Sequence, residues 1–524
     1  MTAEVLPPTA LFARLPETTA VPFPIPPAAA PAPSGGHDLD PAVGDRLIDL
    51  YSRVSDPTDP LALRDLFLSR VEAEVVGGRR EVADLWRSSR PRRTVTGDEV
   101  LGSRATVRFV KELFNSYFRD DLYGRLRSDR HLILSSGSVD ETCFGLPATL
   151  RSCLSYAVDR DWYGYSDSRG RRATREAIAE FENATVAGSP YDVGNVCLTL
   201  GGTFGVSAVA DFVLGSSTAH RPEEAAPALC GLPNYPPLME AVAKRSSVRL
   251  VPLVCASGNG TSLRPLIEQL TPATPLVLLQ TVTNPTGTAV AEDELERLIR
   301  AAGPHTTIVL DEAHECLGPL RRSALRADPR VVRVVSLSKS LSTPGLKLGW
   351  LVAGREFVDE FYEYASTSYG GPASVFYLLI EVMARMERWR VEGLVGIGRV
   401  ELAEFERTYG LTTESLGRAH RSYLSDRERR DRALVVQRDR AADTLLSMGF
   451  DVVRPTHSIN IAVRPHGCDD GYLWFREALA DARVAVYPAI LNGCLNGGWV
   501  RVSTAGEPGG LATAIRALRS LARG

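Results

Sequence analysis

Val331-Val332-Arg333-Val334-Val335-Ser336-Leu337-Ser338-Lys339-Ser340, running on through Pro344-Gly345-Leu346-Lys347-Leu348-Gly349-Trp350, is the stretch that decides the fold. Its β-branched run ends in hydroxyl side chains, which predicts a buried strand emptying into a loop at a sheet edge. In an open α/β sheet that carboxyl edge is where ligands bind. Lys339 stands there. The chain has only four lysines (Lys111, Lys244, Lys339 and Lys347) among its 60 lysines and arginines. Arginine serves wherever a plain positive charge is needed, so a lysine here points to chemistry closed to arginine. An amine of lowered pKa can form a Schiff base with a carbonyl, whereas a guanidinium stays protonated.

Ser336-Leu337-Ser338-Lys339, followed by Pro344-Gly345 and Gly349, resembles the cofactor-lysine segment of the class I and II aminotransferases. These are fold-type I enzymes that depend on pyridoxal 5′-phosphate. Other blocks of the family occur in the right order: Tyr165 with Gly170, Gly201-Gly202-Thr203, Pro233-Asn234-Tyr235, Asn284-Pro285-Thr286-Gly287, Asp311-Glu312-Ala313 and Arg501. Six ordered blocks around one lysine are far more specific than any single block.

Between the blocks the pattern alternates. Residues 196–200, 228–232, 248–254, 275–282 and 306–310 are apolar and strand-like, with helical segments between them. Successive βαβ units predict an α/β fold: a large domain with a mostly parallel central sheet and helices on both faces, plus a smaller α+β domain. Residues 1–41 hold ten prolines and predict a disordered, passive arm. Residues 42–130 predict a helical extension that carries no functional reading. The N-terminal part of the small domain and the entry to the active site are expected over 131–185. The large cofactor domain is expected over 186–390, and a long linking helix with the C-terminal small domain over 391–524.

The resemblance implies a role for each block. Lys339 would be the Schiff-base lysine, and Asp311 the partner of the pyridine nitrogen. Asn284 would donate to the cofactor's phenolate oxygen, and Tyr235 would stack on the ring. Gly201, Gly202 and Thr203 open a helix whose free N–H groups suit a phosphate, and Ser336 and Ser338 join the cofactor-binding set. Tyr165 would reach the phosphate of a neighbouring subunit, giving a homodimer with shared sites. Arg501 would clamp the substrate α-carboxylate, and the Gly137 backbone would approach the substrate. Two positions depart from the family pattern. Lys347 stands where an arginine usually meets the phosphate, and His314 where a tyrosine usually meets the phenolate. His314 can donate only through an N–H, and its own charge is expected to change near neutral pH.

Net charge is −3, so composition makes no case for nucleic acid or anionic membrane. Eight cysteines occur singly with no C-x-x-C spacing, which argues against a metal site and for a reducing, cytoplasmic compartment. No apolar run approaches the roughly 20 residues of a membrane span, and no basic segment marks a secretory signal. The expected function is a pyridoxal-phosphate enzyme acting at Cα of an amino acid, most simply an aminotransferase. Elimination, replacement, cyclisation or annulation uses the same motif set, and S-adenosylmethionine is one such substrate, as for the plant 1-aminocyclopropane-1-carboxylate synthases. A non-catalytic aminotransferase-like regulator would carry an N-terminal winged helix. Residues 1–130 show neither its basic recognition helix nor a basic surplus.

Overall fold

A computed structural model of the chain describes residues 10–13, 15, 35–75, 79–123, 131–188, 190–215, 226–257, 260–320 and 322–521. The apolar segments Ala228–Leu232, Val248–Pro252, Leu276–Gln280, Thr307–Asp311 and Val331–Ser336 lie parallel in one sheet. Gly349–Val352 joins antiparallel, followed by the edge strand Val196–Thr199. The resulting seven-stranded order runs 196–199, 349–352, 331–336, 307–311, 276–280, 228–232, 248–252. Alternate residues serve opposite faces. Leu276 and Leu278 pack with helices Gly202–Gly215 and Pro236–Ala243, while Val277 and Leu279 pack with Glu292–Ala301. Burial on both faces is why these strands are mostly apolar. Arg333 is charged and yet fully buried in mid-strand. Its guanidinium donates to Glu312 at 2.8 Å and to Glu182 at 2.6 Å. Removing one partner of such a pair strands a buried charge, at a cost of about 3–5 kcal/mol.

A four-stranded antiparallel sheet forms the second domain, in the order Asp451–Val453, Asn460–Arg464, Val500–Ser503, Tyr487–Pro488. The 35-residue helix Thr413–Ser447 leads into it, its first turn closed by a Thr412–Ser415 capping box. Leu132–Ile133 pairs with Val484 and Ala485 and so belongs to this domain. The helices that follow do not. Ala148–Val158 and Arg172–Thr185 bury Leu150, Cys153 and Ile178 with Trp350, Leu379 and Met383 of the large domain. The small-domain segment expected over 131–185 therefore ends before residue 148, because the apolar faces of these helices find their partners on the large sheet.

The expected passive arm needs a second correction. Most of residues 1–34 lie outside the described residues, but Leu11, Phe12 and Leu15 are buried against Tyr156 and Tyr409. The Leu11 N–H also donates to the Tyr409 carbonyl at 2.9 Å. Further on, Leu39 and Cys255 exchange backbone hydrogen bonds. Three apolar side chains among the prolines are enough to seat this segment.

Five helices (Asp45–Arg53, Pro60–Glu74, Arg80–Ser88, Gly97–Gly102 and Arg104–Ser116) make up the extension, and the last runs into a π-helical turn, Tyr117–Leu122. Buried ion pairs, Arg70 with Asp470 and Arg476 with Glu72 and Asp121, fasten it to the small domain. Among the described residues no helix is long and apolar enough to cross a membrane.

Candidate active site

Three strand ends and one small-domain strand converge on a cleft of about 540 Å³. Asp311 closes strand Thr307–Asp311 beside Gln280 of the neighbouring strand. Gln280 Nε2 donates to Asp311 Oδ2 at 2.9 Å, and the Ala313 N–H donates to Oδ1 at 3.1 Å. Burial pushes the carboxyl up, and these two donors together with nearby Lys339 pull the other way. Both oxygens are thereby held in a fixed orientation.

Lys339 sits in the short helix Leu337–Ser340, begun by Ser336 at the strand's end. Its Nζ donates to the Gly137 carbonyl. Burial, with the Arg501 charge next in weight, lowers the amine from its usual 10.5 to about 8. The free base is the form that attacks a carbonyl. Two arginines of helix Thr413–Ser447 hold this turn from behind. Arg430 donates to the Lys339 carbonyl at 3.1 Å and to Ser342 Oγ at 2.8 Å, and Arg427 to the Ser340 carbonyl at 3.0 Å.

Arg501 lies on strand Val500–Ser503, opposite Tyr487, with its guanidinium 4.0 Å from the centre of the Tyr487 ring. It donates to Asn284 Oδ1 at 3.2 Å and to the Ser135 carbonyl at 2.8 Å, while its Nε has no partner. Only 5 % exposed, it has no carboxylate partner among the described residues. Burial lowers its pKa, and the nearby Tyr487, Tyr117 and Tyr235 act only partly the other way. Gly137 lies directly beneath it at φ +58°, and a Cβ there would come within 2.6 Å of Nη2. Asn284 Oδ1 also accepts from Asn460 Nδ2 at 3.4 Å, which leaves the Asn284 amide N–H₂ to face the cleft as a donor.

His314 Nδ1 is 2.6 Å from Ser458 Oγ. Burial first, then the charges of Lys339 and Arg501, hold its pKa well below the usual 6.5. The imidazole is therefore neutral at neutral pH, which corrects the expectation of a charge change there.

Gly202 begins a 14-residue helix, preceded by Gly201 at φ +81°. Thr203, Ser336, Ser338 and Lys347 line the same end of the cleft. A Cβ at Gly202 would meet Ser336 Cβ at 3.2 Å, so glycine keeps this cradle open. Helix N-terminal amides, three hydroxyls and one ammonium make a donor set suited to a phosphate. With the Tyr235 ring and the Asp311 carboxylate beyond it, the lining fits pyridoxal 5′-phosphate. Lys347 is exposed and in the left-handed region at φ +55°.

The residues given a site role in the sequence line this one cleft except Tyr165, which is fully exposed and lies outside it. Sequence reasoning missed Phe114, Phe118, Gln280, Ser458, Arg427 and Arg430. Only the helical spacing of the two phenylalanines left a trace, and core residues leave the same one.

The sequence model of the family described as aminotransferase class I and II matches residues 138–391. Over that stretch, just under half of its length, the chain is similar to the family. Among curated relatives, the histidinol-phosphate aminotransferase of Roseobacter denitrificans is 37% identical over 97 residues, 18% of this chain and 27% of that protein. The aromatic amino acid aminotransferase of Nocardia farcinica is 27% identical over 281 residues, 50% of this chain and 64% of that protein. The chain thus spans less than two thirds of either relative. Two solved structures share the fold. Thermus thermophilus aspartate aminotransferase with maleate has a TM-score of 0.61 at 20% identity, covering 79% of this chain and 96% of that one. N-succinyldiaminopimelate aminotransferase of Mycobacterium tuberculosis has a TM-score of 0.60 at 21% identity, covering 79% and 97%.

Proposed function

We propose that this chain is a pyridoxal-phosphate-dependent enzyme acting at Cα of an α-amino acid, most simply an aminotransferase. One observation carries the reading: the Lys339 amine, the Asp311 carboxylate and the Arg501 guanidinium, which lacks a carboxylate partner among the described residues, line a single cleft. When bound, pyridoxal phosphate supplies an aldehyde for amines and an electron-accepting ring. Arg501 binds the substrate carboxylate through its fork and sets Cα towards Lys339. Lys339 Nζ, lowered to about 8, takes up and returns the Cα proton. Asp311 holds a proton at the ring nitrogen. Asn284 and His314 donate to the ring oxygen, and the Gly201–Thr203 turn, Ser336, Ser338 and Lys347 hold the phosphate.

Tyr165, exposed and absent from the lining of its own cleft, supports a homodimer in which it reaches the partner's phosphate. A second reading, elimination or replacement at the side chain, keeps the same residues. His314 and Lys347, in place of the family's tyrosine and arginine, are the observations that favour it. An absorbance scan of the reconstituted protein during addition of single amino acids, with products identified by mass, separates the two. A 2-oxo acid retaining the whole side chain supports transamination, and loss of a side-chain group supports the second reading. No spectral change with any amino acid would refute both.

A further inference from the structure

We infer that Phe114 and Phe118 form a substrate side-chain wall and that the amino acid handled here carries an apolar, planar side chain; this rests on the function proposed above. The charged groups lining the cleft are Asp311, Lys339, Lys347 and Arg501. Ring nitrogen, aldehyde, phosphate and α-carboxylate account for all four. Among the described lining residues no cation or carboxylate is left to meet a charged side chain. What remains is aromatic. Phe114 and Phe118 are one turn apart with ring centroids at 4.9 Å. Phe114 stands edge-on to Tyr235 at 5.8 Å, and Phe118 lies 6.2 Å from Tyr487, which carries the Arg501 guanidinium on its face. An unbroken aromatic line therefore joins the ring-stacking position to the carboxylate clamp.

These two phenylalanines pack on the edge of the core without entering it. Leu113, Tyr117 and Leu122 of the same segment are fully buried, whereas Phe114 and Phe118 stay half-buried and turn to the cleft. The backbone under them is fixed. Tyr117 donates to the Val486 carbonyl at 2.7 Å, and Asp121 accepts from Tyr472 at 2.6 Å and from Arg476 at 3.0 Å. The turn between these anchors is the π-helical one, a feature that recurs at functional sites. Both residues come from the helical extension, outside the matched residues 138–391.

The test uses the full chain reconstituted with pyridoxal phosphate. Phenylalanine is expected to exceed aspartate and lysine in kcat/KM. Phe118→Ala should lower the phenylalanine-to-alanine ratio of kcat/KM by roughly 10- to 100-fold, the range for losing burial of one aromatic side chain, and Phe118→Leu should lower it less. In an activity-free readout, 3-phenylpropionate should bind the unsubstituted protein more tightly than succinate by calorimetry. Preference for aspartate or lysine, an unchanged ratio in Phe118→Ala, or tighter succinate binding would overturn the wall while leaving the proposed function standing. Absence of any spectral change with all amino acids would overturn both.

Discussion

His314 Nδ1 and Ser458 Oγ meet at 2.6 Å across the boundary between the two sheets, 144 residues apart in sequence. The contact ties the ring proton to the hydroxyl: if the serine donates to Nδ1, the ring proton sits on Nε2, and if Nδ1 carries the proton, the serine accepts it.

Ser458→Ala removes one hydrogen bond, worth about 1 kcal/mol, and kcat should fall about fivefold. The kcat profile between pH 6 and 8 should carry no histidine limb, because the folded pKa is depressed. A limb that vanishes in His314→Tyr would contradict this. Stability shows the same shift with a definite sign. Below about 6.5 the unfolded chain binds a proton that the folded chain refuses, so unfolding becomes easier as pH falls. His314→Gln should flatten that decline in urea titrations at pH 7 and pH 5.

Lys339 should stand apart from the other lysines in reductive methylation of the cofactor-free protein. Its reactivity should rise with pH through about 8. After pyridoxal phosphate and borohydride, the label should map to the Lys339 peptide; label on Lys244 or Lys347 would reassign the site. Lys339→Arg keeps the charge and should abolish turnover.

Gly137→Ala puts a Cβ against the Arg501 guanidinium at a backbone angle that already favours glycine. KM for the amino acid should rise about tenfold as the fork is displaced. Arg501→Ala should raise it about 10- to 100-fold, in line with charged hydrogen bonds of about 1.5–3 kcal/mol, with a smaller change in kcat. An unchanged KM in both variants would place the carboxylate elsewhere.

Leu11→Ala should lower the unfolding free energy by about 2–5 kcal/mol, the usual cost of emptying a buried leucine site. Urea denaturation measures it. No change would mean that the arm contributes nothing to stability.

Tyr165→Ala and Lys339→Ala should each be inactive alone and regain part of the activity on mixing, since one hybrid site keeps both residues. A monomer by light scattering at assay concentration would end the shared-site proposal.

The residues at the strand ends were legible because an apolar run has few ways to be buried. Leu276–Gln280 and Thr307–Asp311 had to be central strands, which put Asn284 and Asp311 at one edge. Helices 148–158 and 172–185 pack on the large sheet, which the sequence does not announce because periodicity shows an apolar face and not its partner. Ser458 was silent for a related reason: a hydroxyl that acts through a contact 144 residues away leaves no local pattern. Arg427 and Arg430 were hidden by abundance in a chain that writes arginine almost everywhere.

Asn284 follows a strand of the large sheet, while Arg501 and Asn460 belong to the small one, and all three meet at the Asn284 amide oxygen. That junction ties the two domains together at the same guanidinium proposed to hold the substrate carboxylate, so whatever loosens it disturbs the clamp and the domain contact at once.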